Sequence, residues 1–118
     1  MPGLDQRNLD QLTRANFLKN ILNLKLPRND LGNQGVAYIF SSDGLKHIKK
    51  IDLSSNNIDH DGAQFIALHS KLAYLEVLDL RINKIGDEGF KRLVKSERLN
   101  NLRAIKLDMN KITQSGAV

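Results

Sequence analysis

The chain has no cysteine and no tryptophan among its 118 residues, and aromatic residues make up only 5%. Without cysteine there is no disulfide framework, no thiolate nucleophile and no thiolate-ligated metal. A reducing compartment fits that absence. No apolar run approaches the ~20 residues that a membrane-spanning helix needs. The opening residues Met1, Pro2, Gly3, Leu4, Asp5, Gln6, Arg7 and Asn8 are too polar for a signal peptide. The expected location is therefore cytoplasmic, with secretion by a leaderless route left open. Hydrophobic residues at 41% and charged residues at 26% exclude wholesale disorder. The net charge is +5, from 18 Lys and Arg against 13 Asp and Glu, which raises the question of a nucleic-acid partner.

What the chain does have is a repeat. Asn29, Asn56, Asn83 and Asn110 each lie 27 residues apart. Gly35, Gly62, Gly89 and Gly116 keep that spacing, as do Leu26, Leu53, Leu80 and Leu107. Ile21, Ile48, Leu75 and Leu102 form another column, and Leu24, Ile51, Leu78 and Ile105 another. Leu31, Ile58, Ile85 and Ile112 complete the set. Six columns in register without an insertion mark a repeat architecture in which each unit buries its apolar face only against the next.

Within a repeat the periodicity changes. Ile51, Asp52 and Leu53 alternate apolar and polar, so Ile51 and Leu53 are expected to point into the core and Asp52 away from it. Farther on, Ala63, Ile66 and Ala67 fall at helical spacing, as do Phe90, Leu93 and Val94, with Val36, Ile39 and Phe40 as their layer mates. Leu45, Leu72 and Leu99 form a column expected to tuck each helix end under the next strand. Asp59, Asp61, Asp87 and Glu88 fall at helix starts, where the helix dipole favours negative charge. The periodic glycines fall at the turn into each helix, where close approach or positive φ is easiest for glycine.

Leu75, Leu78, Leu80, Asn83 and Ile85 match the signature L-x-x-L-x-L-x-x-N-x-L of leucine-rich repeats. With the helical segment that follows, the unit resembles the ribonuclease-inhibitor-like subclass. Residues 48–58 and 102–112 fit equally well, and residues 21–31 fit with Pro27 just after the strand. The resemblance implies an α/β fold: a short right-handed horseshoe solenoid with parallel strands on the concave face and helices on the convex face. It also implies that Asn29, Asn56, Asn83 and Asn110 form a structural ladder, each amide bonding backbone left unpaired at a turn.

Four repeats are expected, over 21–47, 48–74, 75–101 and the incomplete 102–118, within a unit of 21–118. The register extends backwards, because Leu9, Leu12 and Leu18 precede Val36, Ile39 and Leu45 by 27 residues. Residues 1–20 are accordingly expected to be a truncated leading repeat that caps the stack. The fourth strand would be an open parallel edge, which is a pairing template. Either the chain is a piece of a longer repeat protein or copies self-associate there.

The resemblance implies a protein-protein interaction module that binds its partner on the concave face. The outward positions expected there are Lys25, Lys50, Asp52, Ser54, Asp79, Arg81, Ile82, Lys106, Asp108 and Met109. Lateral ion pairs are expected for Lys25 with Asp52, Asp79 with Lys106, and Arg81 with Asp108. Arg81, Ile82 and Met109 are the expected hot spots, since a few arginine and apolar anchors tend to dominate interface energy. Two alternatives remain: regulation of a small GTPase, in the manner of the Ran GTPase-activating relatives, and a basic scaffold for nucleic acid. The second is disfavoured because the cations are scattered among acids and no aromatic stacking platform is evident. No catalytic constellation, cofactor motif or metal site is found. His60 lies between Asp59 and Asp61 but has no second histidine at ligand spacing.

Overall fold

The computed structural model describes residues 22–113. The expected capping segment 1–20 and residues 114–118 lie outside them. Four three-residue strands alternate with three helices: β1 (Asn23–Lys25), α1 (Gly32–Phe40), β2 (Lys50–Asp52), α2 (His60–His69), β3 (Val77–Asp79), α3 (Gly86–Val94) and β4 (Ala104–Lys106). A 3-10 turn at Asp43–Leu45 follows α1. The strands form one parallel sheet in the order β1-β2-β3-β4. Asn23 pairs with Lys50, Lys50 with Val77, and Val77 with Ala104, so the sheet register is the 27-residue period itself. β4 pairs on one side only among the described residues.

One core runs between the sheet and the helices. Leu53, Leu80, Ile51 and Leu78 are buried from the strands, with Val36, Ile39, Phe40, Ala63, Ile66, Ala67 and Leu93 from the helices. Leu26 joins them, and Leu107 packs against the cluster partly buried, so the leucine column is interior throughout. Leu45, Leu72 and Leu99 close the layer under each helix end. Complete burial of one such side chain contributes about 1.5–3 kcal/mol, and no single repeat could assemble enough of it alone. Two expected core residues differ: Val94 is 58% exposed, whereas its periodic mates Phe40 and Ala67 are buried, and Phe90 is half-buried, whereas its mates Val36 and Ala63 are buried.

The periodic glycines serve close approach, not positive φ. A Cβ on Gly62 would fall 2.7 Å from Ile58 Cγ2 and would also strike Asn33; one on Gly89 would fall 2.6 Å from Ile85 Cγ2. The helix therefore sits tightly on the apolar residue that precedes it. Positive φ occurs instead at the helix-opening Gly32 and Gly86.

The asparagines are buried and reach backwards by one repeat. Asn56 Oδ1 accepts from the backbone N–H of Asn29 (2.9 Å) and Leu31 (3.2 Å), while its Nδ2 donates to the carbonyls of Leu26 (2.8 Å) and Ser54 (3.0 Å). Asn83 does the same for Asn56, Ile58 and Leu53. Asn110 does so for Ile85 and Leu80. A second tie runs along the helix starts. Asn33 Nδ2 donates to Asp59 Oδ1 (2.7 Å), and Thr113 donates to Asp87 through its backbone N–H (2.7 Å) and its hydroxyl (2.5 Å).

Replacing Asn56 with Ala would strip partners from two buried N–H groups and a buried carbonyl, each costing ~1–3 kcal/mol when left unmade. Asn56→Ala should lower unfolding free energy by about 3 kcal/mol or more in urea titration, whereas Lys84→Ala, at an exposed turn position without positive φ, should change it by less than about 0.5 kcal/mol. Equal losses would refute the ladder's role.

Candidate functional site

The sheet surface facing away from the helices is built by strand alternation and by the turn that follows each strand. Lys25, Lys50, Lys106 and Asp108 are exposed there; Asp52, Ser54 and Arg81 are half-buried; Ile82 and Met109 are 51% and 75% exposed. Adjacent strands bring the periodic columns side by side. The hydrogen-bond ladder continues past the strands into the turns: the N–H groups of Arg28, Ser55 and Ile82 donate to the carbonyls of Ser54, Arg81 and Asp108.

Asp79 departs from the sequence expectation. It is 5% exposed and lies under the guanidinium of Arg81 instead of facing solvent. Arg81 clamps it with Nε 2.9 Å from Oδ1 and Nη2 2.7 Å from Oδ2, and the Arg81 backbone N–H also donates to Oδ1 at 3.1 Å. The expected lateral pairs of Lys25 with Asp52, Asp79 with Lys106, and Arg81 with Asp108 do not form as direct contacts among the described residues. The physical reason is local. An aspartate that ends a strand accepts the N–H two residues on. The planar fork of an arginine at that position then meets both carboxylate oxygens, a stronger contact than a lysine on the next strand offers. Asp52 makes the same backbone turn with the Ser54 N–H at 2.9 Å.

Burial pushes the Asp79 carboxyl upward, but the side-chain and backbone hydrogen bonds of Arg81, with the charges of Arg81 and Lys106, hold it below the ordinary carboxylate value. Asp79 in turn raises Arg81, aided by the charges of Asp52 and Asp108. Arg81 is thus committed to the sheet and is not an arginine held free on a loop. At the helix starts, burial pushes Asp59 up, and the Asn33 and Asp61 hydrogen bonds and the nearby His60 more than offset it. Asp87 is lowered by its two bonds from Thr113. His60 opens α2 with Nε2 3.4 Å from Asp61, and Asp59 caps that helix by accepting from the Asp61 N–H.

A feature with no overt sequence signal is the backbone at the second residue after the Leu26, Leu53, Leu80 and Leu107 column. Arg28, Ser55, Ile82 and Met109 all have positive φ, between 54° and 59°. Every repeat turns through the left-handed region at this point, where glycine or asparagine fits best. A β-branched isoleucine there is a genuine outlier. Also unread in the sequence is an exposed stack of His47 on Tyr74, one period apart, with centroids 5.3 Å apart.

Asp59, Asp79 and Asp87 all have folded values below the ordinary 3.8, so each favours the folded state fully above that pH and loses its contribution as the pH falls below it. Stability measured by urea titration should therefore be flat from neutral pH down to about 5 and decline below about 4. Thr113→Val should flatten part of that decline, and Arg81→Met should remove more of it while lowering stability at pH 7. An acid limb identical in all three proteins would contradict these assignments.

No curated protein matches the chain. Residues 44–67 and 71–94 each match the family described as leucine-rich repeat, the first spanning β2 and most of α2 and the second β3 and α3. Shared register, buried asparagine and apolar columns extend the same construction over the strands on either side. The chain therefore contains two leucine-rich repeats, set within a series of parallel α/β units around one core.

Proposed function

We propose that the chain is a protein-binding module, and that it takes its partner on the strand-lined, concave face of a short horseshoe of the ribonuclease-inhibitor-like kind. Leucine-rich repeats commonly serve as interaction modules, and the parallel strands with the turns that follow them present a continuous row of exposed and half-buried side chains. The observation that carries the reading is Ile82. Left-handed backbone at a β-branched residue costs ~1–2 kcal/mol, yet this side chain is half exposed and fills no core position. Strain kept at an exposed position points to a use outside the fold. Met109 stands beside it in the same column, one repeat on, and is more exposed still.

These two form an apolar anchor beside charge: Lys106 and Asp108 are exposed on the adjoining strand and its turn, Lys25 and Lys50 are exposed farther across the sheet, and the Arg81–Asp79 clamp lies next to Ile82. Asp52 and Ser54 complete the surface between. Such an arrangement, a few apolar contacts flanked by polar groups, suits a partner with a protruding apolar side chain. A GTPase-regulating role would need a free arginine, and the clamp on Arg81 gives it no support.

Ile82→Asn separates the structural from the binding role. Relief of ~1–2 kcal/mol of backbone strain opposes loss of about 1 kcal/mol of half-buried apolar surface. Stability should therefore stay level or rise. In affinity capture beside the wild type, Ile82→Asn with Met109→Asp should lose the bound partner while retaining the wild-type melting temperature. A partner held equally by both proteins would place binding on another surface, and a large loss of stability in Ile82→Asn would make the residue structural.

A further inference from the structure

A groove opens away from the strand face, between the carboxyl end of α2 and the segment after α3. Ala67, Leu68, Arg92, Lys95, Ser96, Glu97 and Arg98 line it. In a repeat protein the equivalent positions of neighbouring units show what the fold itself requires, and here the groove departs from them. At the preceding junction Lys71 lies 3.8 Å from Asp43. One period on, those positions hold Arg98 and Ser70. Ser70 is buried, and its hydroxyl accepts from the Leu72 N–H at 3.2 Å. Arg98 therefore has no counterpart to Asp43. Arg92 and Lys95 also make no ion pair among the described residues.

Leu68 breaks the pattern on the apolar side. It is 48% exposed, while its periodic mates are Ser41 and Lys95. The repeat thus folds with polar residues at this position and gains nothing obvious from a leucine. The groove is also held in shape. Ser96 Oγ donates to the Ala67 carbonyl at 2.5 Å and accepts from the Arg98 N–H at 3.1 Å, fixing the segment that carries Glu97 and Arg98 against the end of α2.

We propose that this groove is a second docking site, for an acidic segment of a partner protein that sets an aliphatic side chain against Leu68 and Ala67 and carboxylates toward Arg92, Lys95 and Arg98. The charge is complementary to such a segment, and the apolar wall selects for its side chain. Nucleic acid fits less well: no ring lines the groove for base stacking, whereas the Leu68 and Ala67 wall suits an aliphatic side chain. A bilayer surface is flat and would span the recess without entering it.

The test uses the full chain and a short fluorescein-labelled peptide of Asp and Glu with one central Leu, read by fluorescence anisotropy. The peptide should bind and weaken as salt is raised. Leu68→Ser, which installs the residue of the preceding repeat, should weaken binding by about ten-fold or more, roughly one apolar contact's worth. Arg92→Glu with Arg98→Glu should weaken it further, with circular dichroism melting curves checking that each variant folds. Replacing the peptide's Leu by Ser should reproduce the Leu68→Ser loss in the unaltered protein. The proposal is overturned if the peptide does not bind, or if the Leu-free peptide binds equally well. It is also overturned if duplex DNA or phosphatidylserine vesicles bind more tightly than the peptide and ignore Leu68→Ser.

Discussion

A chain that turns sharply inside a protein must find partners for the N–H and carbonyl groups that the turn leaves unpaired. In this structure the solution comes from the neighbouring unit, as the amide of an asparagine buried one repeat later. The side chain can both donate and accept, and no apolar residue of similar size could replace it. Once Asn56 and Asn83 occupy those places, strand register and turn shape are fixed together, and the leucine columns align as a result. The tight seat of each helix, set by Gly62 and Gly89, completes the repeat.

Because the fold is repeated, it supplies its own controls. Columns that carry the core hold the same residue type throughout. Departures occur where the fold makes no demand, or where a residue works against it. Ile82 is the second kind, an apolar side chain on left-handed backbone. Leu68 and Arg98 are the first kind, an exposed leucine among polar mates and an arginine without the acid its forerunner Lys71 possesses. The two candidate surfaces thus emerge from one criterion applied to opposite sides of the sheet-and-helix layer.

The scaffold was legible because its signals are periodic. Alternation around Ile51, helical spacing from Ala63 to Ala67 and the asparagine column each correspond to one physical duty. The surface was less so. Reading neighbours laterally at strand spacing paired Asp79 with Lys106, and missed that a strand-ending aspartate is drawn back to its own chain two residues later, where Arg81 offers both an N–H and a fork. Column spacing reveals which residues are adjacent but not their φ, so Arg28, Ser55, Ile82 and Met109 looked like a continuation of the strand surface. The stack of His47 on Tyr74 is hidden for a similar reason, since both lie in connecting segments whose course neither strand nor helix periodicity determines.

The asparagine amides all point the same way along the stack: Asn56 serves the turn of the unit before it, and Asn83 and Asn110 serve theirs. For the groups that close each bend, support comes from the later unit alone. Just past the bend it runs the other way: Asn33 accepts from the Asp59 N–H, the Ile58 carbonyl from the Lys84 N–H, and Asp87 from the Thr113 N–H. Each junction is thus braced from both sides at different places, so losing a unit at either end leaves its neighbour with unmet backbone groups.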